Sequence, residues 1–210
     1  MGKKIMTCPF DELEQKVVAS GYEKLPALLN EDNLDNLFIG PNNLLQRDRI
    51  EEVNVYSKPI YSFVDLNRLE GQEKSTKDPI QILVGDSPGS DTVPISNHLL
   101  CFLRLGKGLT SHQNIVHGGA IATIMDEFLV KVALPFTTNN FAVTASLDIK
   151  YVKPLKFENE ERLLNVVLEC FVIGRKEGRK FDVSGYLKSI EGNYRYCKGE
   201  LLVVVPRDCQ

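Results

Sequence analysis

The chain has 210 residues, 43% of them hydrophobic, enough for one sizeable core with an appendage, so one principal domain is the expectation. A formal net charge of −3 leaves no basic field of the kind that holds a nucleic-acid backbone, which argues against a polynucleotide partner. No apolar run approaches the roughly 20 residues needed to cross a bilayer, so no membrane span is expected in this chain.

The opening "MGKKIMTCPF" lacks the apolar centre of a signal peptide, and Met6 stands where a myristoylation signal needs Ser or Thr; no presequence is recognised. The five cysteines, Cys8, Cys101, Cys170, Cys197 and Cys209, are odd in number and scattered without a CxxC pair. They suit a reduced intracellular compartment, cytoplasmic or mitochondrial. His98, His112 and His117 lack the close spacing and companion cysteines of a zinc site, so neither a metal nor a cofactor is expected.

Residues 10 to 29, "FDELEQKVVASGYEKLPALL", predict a helix begun at Asp11, with Leu13, Val17 and Val18 on one side and a break near Gly21 and Pro26. "EEVNVYSKPIYSFVDL" and "PIQILVG" carry β-branched and aromatic residues, with Pro59 arguing against a long central strand, and residues 85 to 97 read as a loop. The predicted division is an N-terminal extension over 1–75, helical at its start and otherwise irregular, and a principal domain over 76–210.

From His98 the pattern is cleaner. "HLLCFLRL" predicts a strand, and "NIVHGGAIATIMDEFLVKVAL", Asn114 to Leu134, a long amphipathic helix. "FAVTASLDIKYV" alternates Ala142, Thr144, Ser146, Asp148 and Lys150 against Val143, Ala145, Leu147, Ile149 and Tyr151, the pattern of a half-buried strand. "RLLNVVLECFVIG", "KFDVSGYLKSI" and "YRYCKGELLVVV", separated by turn-rich segments, predict an antiparallel meander. One long helix covering one face of a curved antiparallel sheet makes the fold class α+β.

Within the long helix, Asp126 and Glu127 interrupt an otherwise apolar run. Gly118 and Gly119 stand at its start, where the first backbone N–H groups have no internal partner and hold an oxyanion well; for the pair taken alone, a plain entry turn is the simpler explanation. Asp126, nearly two turns after Gly119, lies on the same helical face with Ala122 and Thr123 between them. Seven residues span roughly 10 Å along the axis, too far for both groups to address one carbonyl. Two such helices packed antiparallel about a two-fold axis would bring Asp126 of one subunit beside Gly119 of the other. A surface role for Asp126 stays open on this argument alone, and Glu127, about 100° around the helix, points elsewhere.

The ordered segments "HGGAIATIMDE", "TASLDIKYVKPL" and "EGRKFDVSGYL" resemble the hotdog-fold acyl-CoA thioesterases, in particular the PaaI-type and thioesterase-superfamily-member-4-like branch, over about residues 98 to 205. The resemblance implies a hotdog fold, a homodimer or dimer of dimers with sites between subunits, and hydrolysis of fatty acyl-CoA, medium to long chains favoured. It assigns Asp126 to water activation, as general base or less readily as nucleophile, Thr144 to water positioning, and the Gly118–Gly119 helix start, Gly119 foremost, to the carbonyl oxygen. His117 shapes the turn. Because coenzyme A carries phosphates, the resemblance also implies cations at the mouth, for which Lys153, Arg179 and Lys180 stand ready, though a basic hairpin tip is commonly a solvated turn. Asn114 is a further candidate for substrate contact, or simply a turn residue. Two other readings stand beside this one: an idle hotdog protein that binds acyl groups or a protein partner, and an acyl-thioester dehydratase or hydratase, for which His117 is poorly placed.

Overall fold

A computed structural model of the chain describes residues 10–24, 49–57, 98–112, 114–137, 141–158, 161–177, 179–190 and 193–207. The elements, in chain order, are helix α1 (Asp11–Ala19) and strands β1 (Glu23–Lys24), β2 (Ile50–Ser57), β3 (His98–Gly106), β4 (Thr110–His112) and β5 (Ile115–Val116). Helix α2 (Gly118–Lys131) follows, then β6 (Val143–Tyr151), β7 (Leu163–Lys176), β8 (Lys180–Ser189) and β9 (Arg195–Val204). Seven strands form one antiparallel sheet in the order β1-β2-β3-β7-β8-β9-β6, and β4 pairs with β5 beside it. The sheet packs one face on α2, which is the hotdog arrangement and the α+β class predicted.

Both faces of β3 are covered, and that is why its sequence runs apolar without alternation. Leu99, Cys101, Leu103 and Leu105 join the core under α2 with Ile121, Ile124, Met125, Phe128 and Leu129. Leu100 and Phe102 turn to the outer face, where Phe10, Val17 and Tyr22 of the N-terminal segment bury them with Tyr56 and Val167. The inner helix sits close because two strand positions have no side chain: a Cβ on Gly199 would come 2.5 Å from Met125 Cε, and one on Gly185 2.5 Å from Leu129 Cδ2.

The structure redraws several expected boundaries. Ile50–Ser57, inside the stretch expected to lie apart from the principal domain, pairs with β3 along its length and contributes Val53 and Val55 to the main core. The sheet therefore begins well before residue 76. Helix α2 starts at Gly118 rather than Asn114, because Asn114 adopts a left-handed φ of 61° and the next two residues extend into β5. In α1, Val17 is buried whereas Val18 is 53% exposed, so the apolar stripe is narrower than its sequence suggests. Pro26, Pro59, "PIQILVG", the loop expected over 85–97 and the division at residue 76 lie outside the described residues.

Strand β6 departs from strict alternation. Its register with β9 slips between Thr144 and Ser146, and such a bulge re-aims the side chains that flank it. Thr144 thereby reaches α2, on the same side as Leu147 and Ile149, which pack against the core. Because β6 is the outermost strand of the sheet, most of it is exposed rather than half-buried.

On the outer face, polar side chains are buried in a connected row. The Tyr22 hydroxyl meets His98 Nδ1, His98 Nε2 lies 2.7 Å from Glu169 Oε1, and Lys188 Nζ pairs with Glu169 Oε2. All four residues are buried. Removed from water, each of these polar groups has a partner in the row.

Candidate functional site

His117 ends an extended segment (φ −62°, ψ 132°) and caps α2: its Nδ1 accepts a 2.9 Å hydrogen bond from the Gly119 N–H. That bond fixes the neutral Nε2–H tautomer while the cap is made. Two hydroxyls reach the carbonyls of the same turn. Thr123 Oγ1 donates to Gly119 O at 2.9 Å, and Tyr151, at the end of β6, donates to Gly118 O at 2.8 Å. The Tyr151 contact was not anticipated; its only sequence signal is its place in the alternating set with Leu147 and Ile149.

Further along the helix, Thr144 Oγ1 donates to Asp126 Oδ1 at 2.8 Å. The pair anticipated for water chemistry is thus brought together within one chain. Asp126 is half-buried, and Gly119, Ala122 and Thr123 on its side of α2 are likewise incompletely covered, while Ile121, Ile124, Met125, Phe128 and Leu129 face the core. Glu127 points elsewhere, as expected, and has a structural role: it forms an ion pair with the buried Lys131 one turn on. Asp126 and Gly119 remain nearly two turns apart on one helix, so a single protomer does not join the carboxylate to the helix start.

The remaining candidates are dispersed. Asn114 occupies the left-handed turn before β5, a conformation that asparagine tolerates, and its backbone carbonyl accepts the Phe157 N–H at 2.9 Å. Lys153 lies with its Nζ 4.7 Å from the centroid of the Tyr194 ring, at the Tyr151 end of β6. Arg179 and Lys180 sit at the other end, since Lys180 pairs with Val204 and Val204 with Val143. There Lys180 Nζ is 2.8 Å from Glu177 Oε2, whose carboxyl the lysine holds below its ordinary range, and Arg179 Nη1 donates to Val205 O at 3.3 Å. One protomer therefore does not gather the three cations. Ile121, Phe128 and Phe136, possible acyl-lining residues by composition, are all buried in the core. Among the described residues, no cluster of three or more His, Cys, Asp or Glu side chains is arranged to hold a metal, and no helix is long and apolar enough to cross a membrane.

Residues 113–169, the stretch holding the helix start, Asp126, Thr144 and Tyr151, match the family model described as thioesterase superfamily. Over this segment the chain is similar to the thioesterase superfamily. Over a wider span the chain is 29% identical to an uncharacterized mitochondrial protein of Candida albicans, across 132 residues that make up 63% of this chain and 52% of that one. It is 35% identical to the acyl-coenzyme A thioesterase THEM4 of Mus musculus over 99 residues, 47% of this chain and 39% of the relative. The matches thus span about half or less of these relatives' length. Among solved structures, thioesterase superfamily member 2 of Mus musculus aligns at a TM-score of 0.44 and 16% identity, covering 52% of this chain and 81% of that one. The thioesterase-superfamily segment ends before Arg179 and Lys180.

Proposed function

We propose that the protein is an acyl-CoA thioesterase that hydrolyses fatty acyl-CoA, medium to long chains favoured, to a free fatty acid and coenzyme A. The observation that carries this reading is the Thr144–Asp126 hydrogen bond on the incompletely covered side of α2. The superfamily segment and the thioesterase name of the mouse relative support it.

In the proposed reaction, Asp126 takes a proton from a water that Thr144 helps to hold, and the water oxygen attacks the thioester carbonyl carbon. The carbonyl oxygen, now carrying negative charge, accepts from the Gly119 N–H at the positive end of α2, with the Gly118 turn alongside. It replaces the His117 ring nitrogen as acceptor, so His117 shapes the turn and takes no proton. Collapse of the tetrahedral intermediate breaks the C–S bond, and the proton on Asp126 goes to the departing thiolate. The products are the fatty acid and the thiol of coenzyme A.

Because Gly119 and Asp126 stand far apart on one helix, the proposed site lies between two copies, with Asp126 of the partner subunit serving the Gly119 of the first. The exposed edge strand β6 and the uncovered helix side support a homodimer or dimer of dimers. An antiparallel pairing would also bring the hairpin carrying Arg179 and Lys180 toward the Lys153 end of the other copy, where phosphates of coenzyme A would be met. Asn114 would border the acyl or pantetheine portion. The buried free thiols Cys101, Cys170 and Cys197 suit a reduced compartment, cytoplasmic or mitochondrial.

The test is thiol release from palmitoyl-, octanoyl- and acetyl-CoA, with formation of the free acid checked by mass spectrometry. Release from at least one, with its rate giving the preferred length, is the expected result; release from none rejects hydrolysis. One observation favours the idle acyl-binding reading instead: the Gly119 N–H already has an acceptor in His117. Tight binding of octanoyl- or palmitoyl-CoA without thiol release would favour that reading.

A further inference from the structure

The peptide unit joining Gly118 to Gly119 carries two groups in one plane, the Gly118 carbonyl and the Gly119 N–H. The N–H is the donor assigned above to the reacting carbonyl oxygen. At the other end of the same unit, the Tyr151 hydroxyl donates to Gly118 O at 2.8 Å. A carbonyl oxygen has two lone pairs, so this bond adds to the helical one rather than replacing it. Donation to a peptide oxygen draws electron density from the nitrogen and makes its N–H a stronger donor, the cooperative effect of linked hydrogen bonds.

The surrounding geometry fits that role. A Cβ on Gly118 would lie 3.4 Å from the Tyr151 ring, so the ring rests against the glycine backbone itself. Tyr151 pairs with Cys197 on β9 and terminates the strand that also carries Thr144. Loss of solvent around the phenol, and then the neighbouring Cys197, raise its pKa, so it stays a neutral O–H donor through the physiological range.

We infer that Tyr151 is a positioning residue for the proposed thioester hydrolysis, its hydroxyl polarising and holding the Gly118–Gly119 peptide so that the Gly119 N–H is aimed and strengthened as the oxyanion donor. This inference rests on the thioesterase reading and adds to it a residue that never touches the substrate. Because the oxyanion exists only after water attack, the bond strengthens the transition state more than substrate binding.

The experiment compares wild type with Tyr151→Phe, which keeps the ring against Gly118 and removes only the hydroxyl. Kinetics use whichever of palmitoyl-, octanoyl- or acetyl-CoA the wild type cleaves fastest, and the Gly119 amide proton is followed by NMR in the same two proteins. The expected result is a kcat lower by about tenfold, about 1.4 kcal/mol, with KM within about twofold and the Gly119 amide proton moved upfield. A lower melting temperature with unchanged kcat would reduce Tyr151 to a brace and overturn the inference. A raised KM with unchanged kcat would overturn it as well, because the hydroxyl would then contact substrate. So would a fall in kcat that leaves the Gly119 amide in place. Absence of turnover by the wild type would reject the thioesterase reading and this inference with it, whereas an active wild type with an equally active variant would reject the inference alone.

Discussion

Thr144 Oγ1 donates a 2.8 Å hydrogen bond to Asp126 Oδ1, tying the outermost strand of the sheet to the middle of the long helix. The bond explains why a carboxylate interrupts an apolar run: Asp126 lies on the side of α2 that the sheet leaves partly open, while Ile124, Met125, Phe128 and Leu129 face the core. A hydroxyl that donates to one carboxylate oxygen still accepts through its own lone pairs, so a water placed between the two is held by both.

Asp126→Asn should therefore lower kcat for acyl-CoA hydrolysis by about 10²- to 10⁴-fold, the usual contribution of a general base, with far-UV circular dichroism unchanged. Thr144→Val should cost about tenfold, and the double variant should be no slower than Asp126→Asn, since both residues act on one water. Thiol release by the three purified variants decides the matter. Substantial turnover in folded Asp126→Asn would remove this carboxylate from the mechanism.

The relation just described also marks where sequence pattern succeeds and where it stops. The main elements from His98 onward follow from period: two-residue alternation for the strands, helical spacing for α2, and an unbroken apolar run for β3, which is covered on both sides. The short pair β4 and β5 does not, Ile115 and Val116 lying within the stretch expected to be helical. Strict alternation placed Thr144 opposite Leu147, and only the register slip before Ser146 brings both to the helix side. Such a slip leaves no mark in the hydrophobic period. The same limit hid β2, whose Val53 and Val55 read as an isolated segment until β3, more than forty residues later, supplies the pairing partner. Tyr151 was legible only as one of the alternating set with Leu147 and Ile149; its hydroxyl partner is a backbone carbonyl, and backbone acceptors carry no residue type to recognise.

Buried charges on the outer face supply a prediction about stability. Lys188→Met would leave Glu169 buried with His98 as its remaining side-chain partner, and breaking one side of a buried pair costs about 3–5 kcal/mol. Tyr22→Phe removes one hydrogen bond at the other end of the row and should cost about 1 kcal/mol. Urea midpoints measure both, and hydrogen exchange should show the Tyr22 change concentrated in α1, which it follows directly. Equal costs for the two would mean that the row does not carry the charge burden inferred from its geometry.

Alkaline pH tests a second buried group. Burial pushes the Cys197 thiol up from 9.0 to about 11. The folded protein then holds this proton more tightly than the unfolded chain, so the associated stability is complete below about pH 9 and is lost as pH rises toward 11. Cys197→Ala should flatten that part of the pH–stability curve relative to wild type, although a cavity lowers its overall level. Denaturant midpoints at pH 8, 9, 10 and 11 check the difference between the two curves. Parallel curves over that range would show that Cys197 does not contribute to the loss.

The strongest check on a shared site uses two inactive chains. Asp126→Asn removes the proposed base and leaves the helix start intact. Gly119→Val does the converse, because even a Cβ at that position would lie 2.9 Å from His117 Nδ1. If each site takes Gly119 from one subunit and Asp126 from the other, coexpressed chains form mixed dimers in which one of the two sites has both native residues. Random pairing makes about half of the dimers mixed, so activity should recover to about a quarter of wild type although each parent is inactive. If instead both residues acted within one chain, every site in the mixture would carry a defect and no activity would return. With the shared site, thiol release from the coexpressed pair, purified through different tags on the two chains to select mixed dimers, should rise to about half of the wild-type rate per dimer.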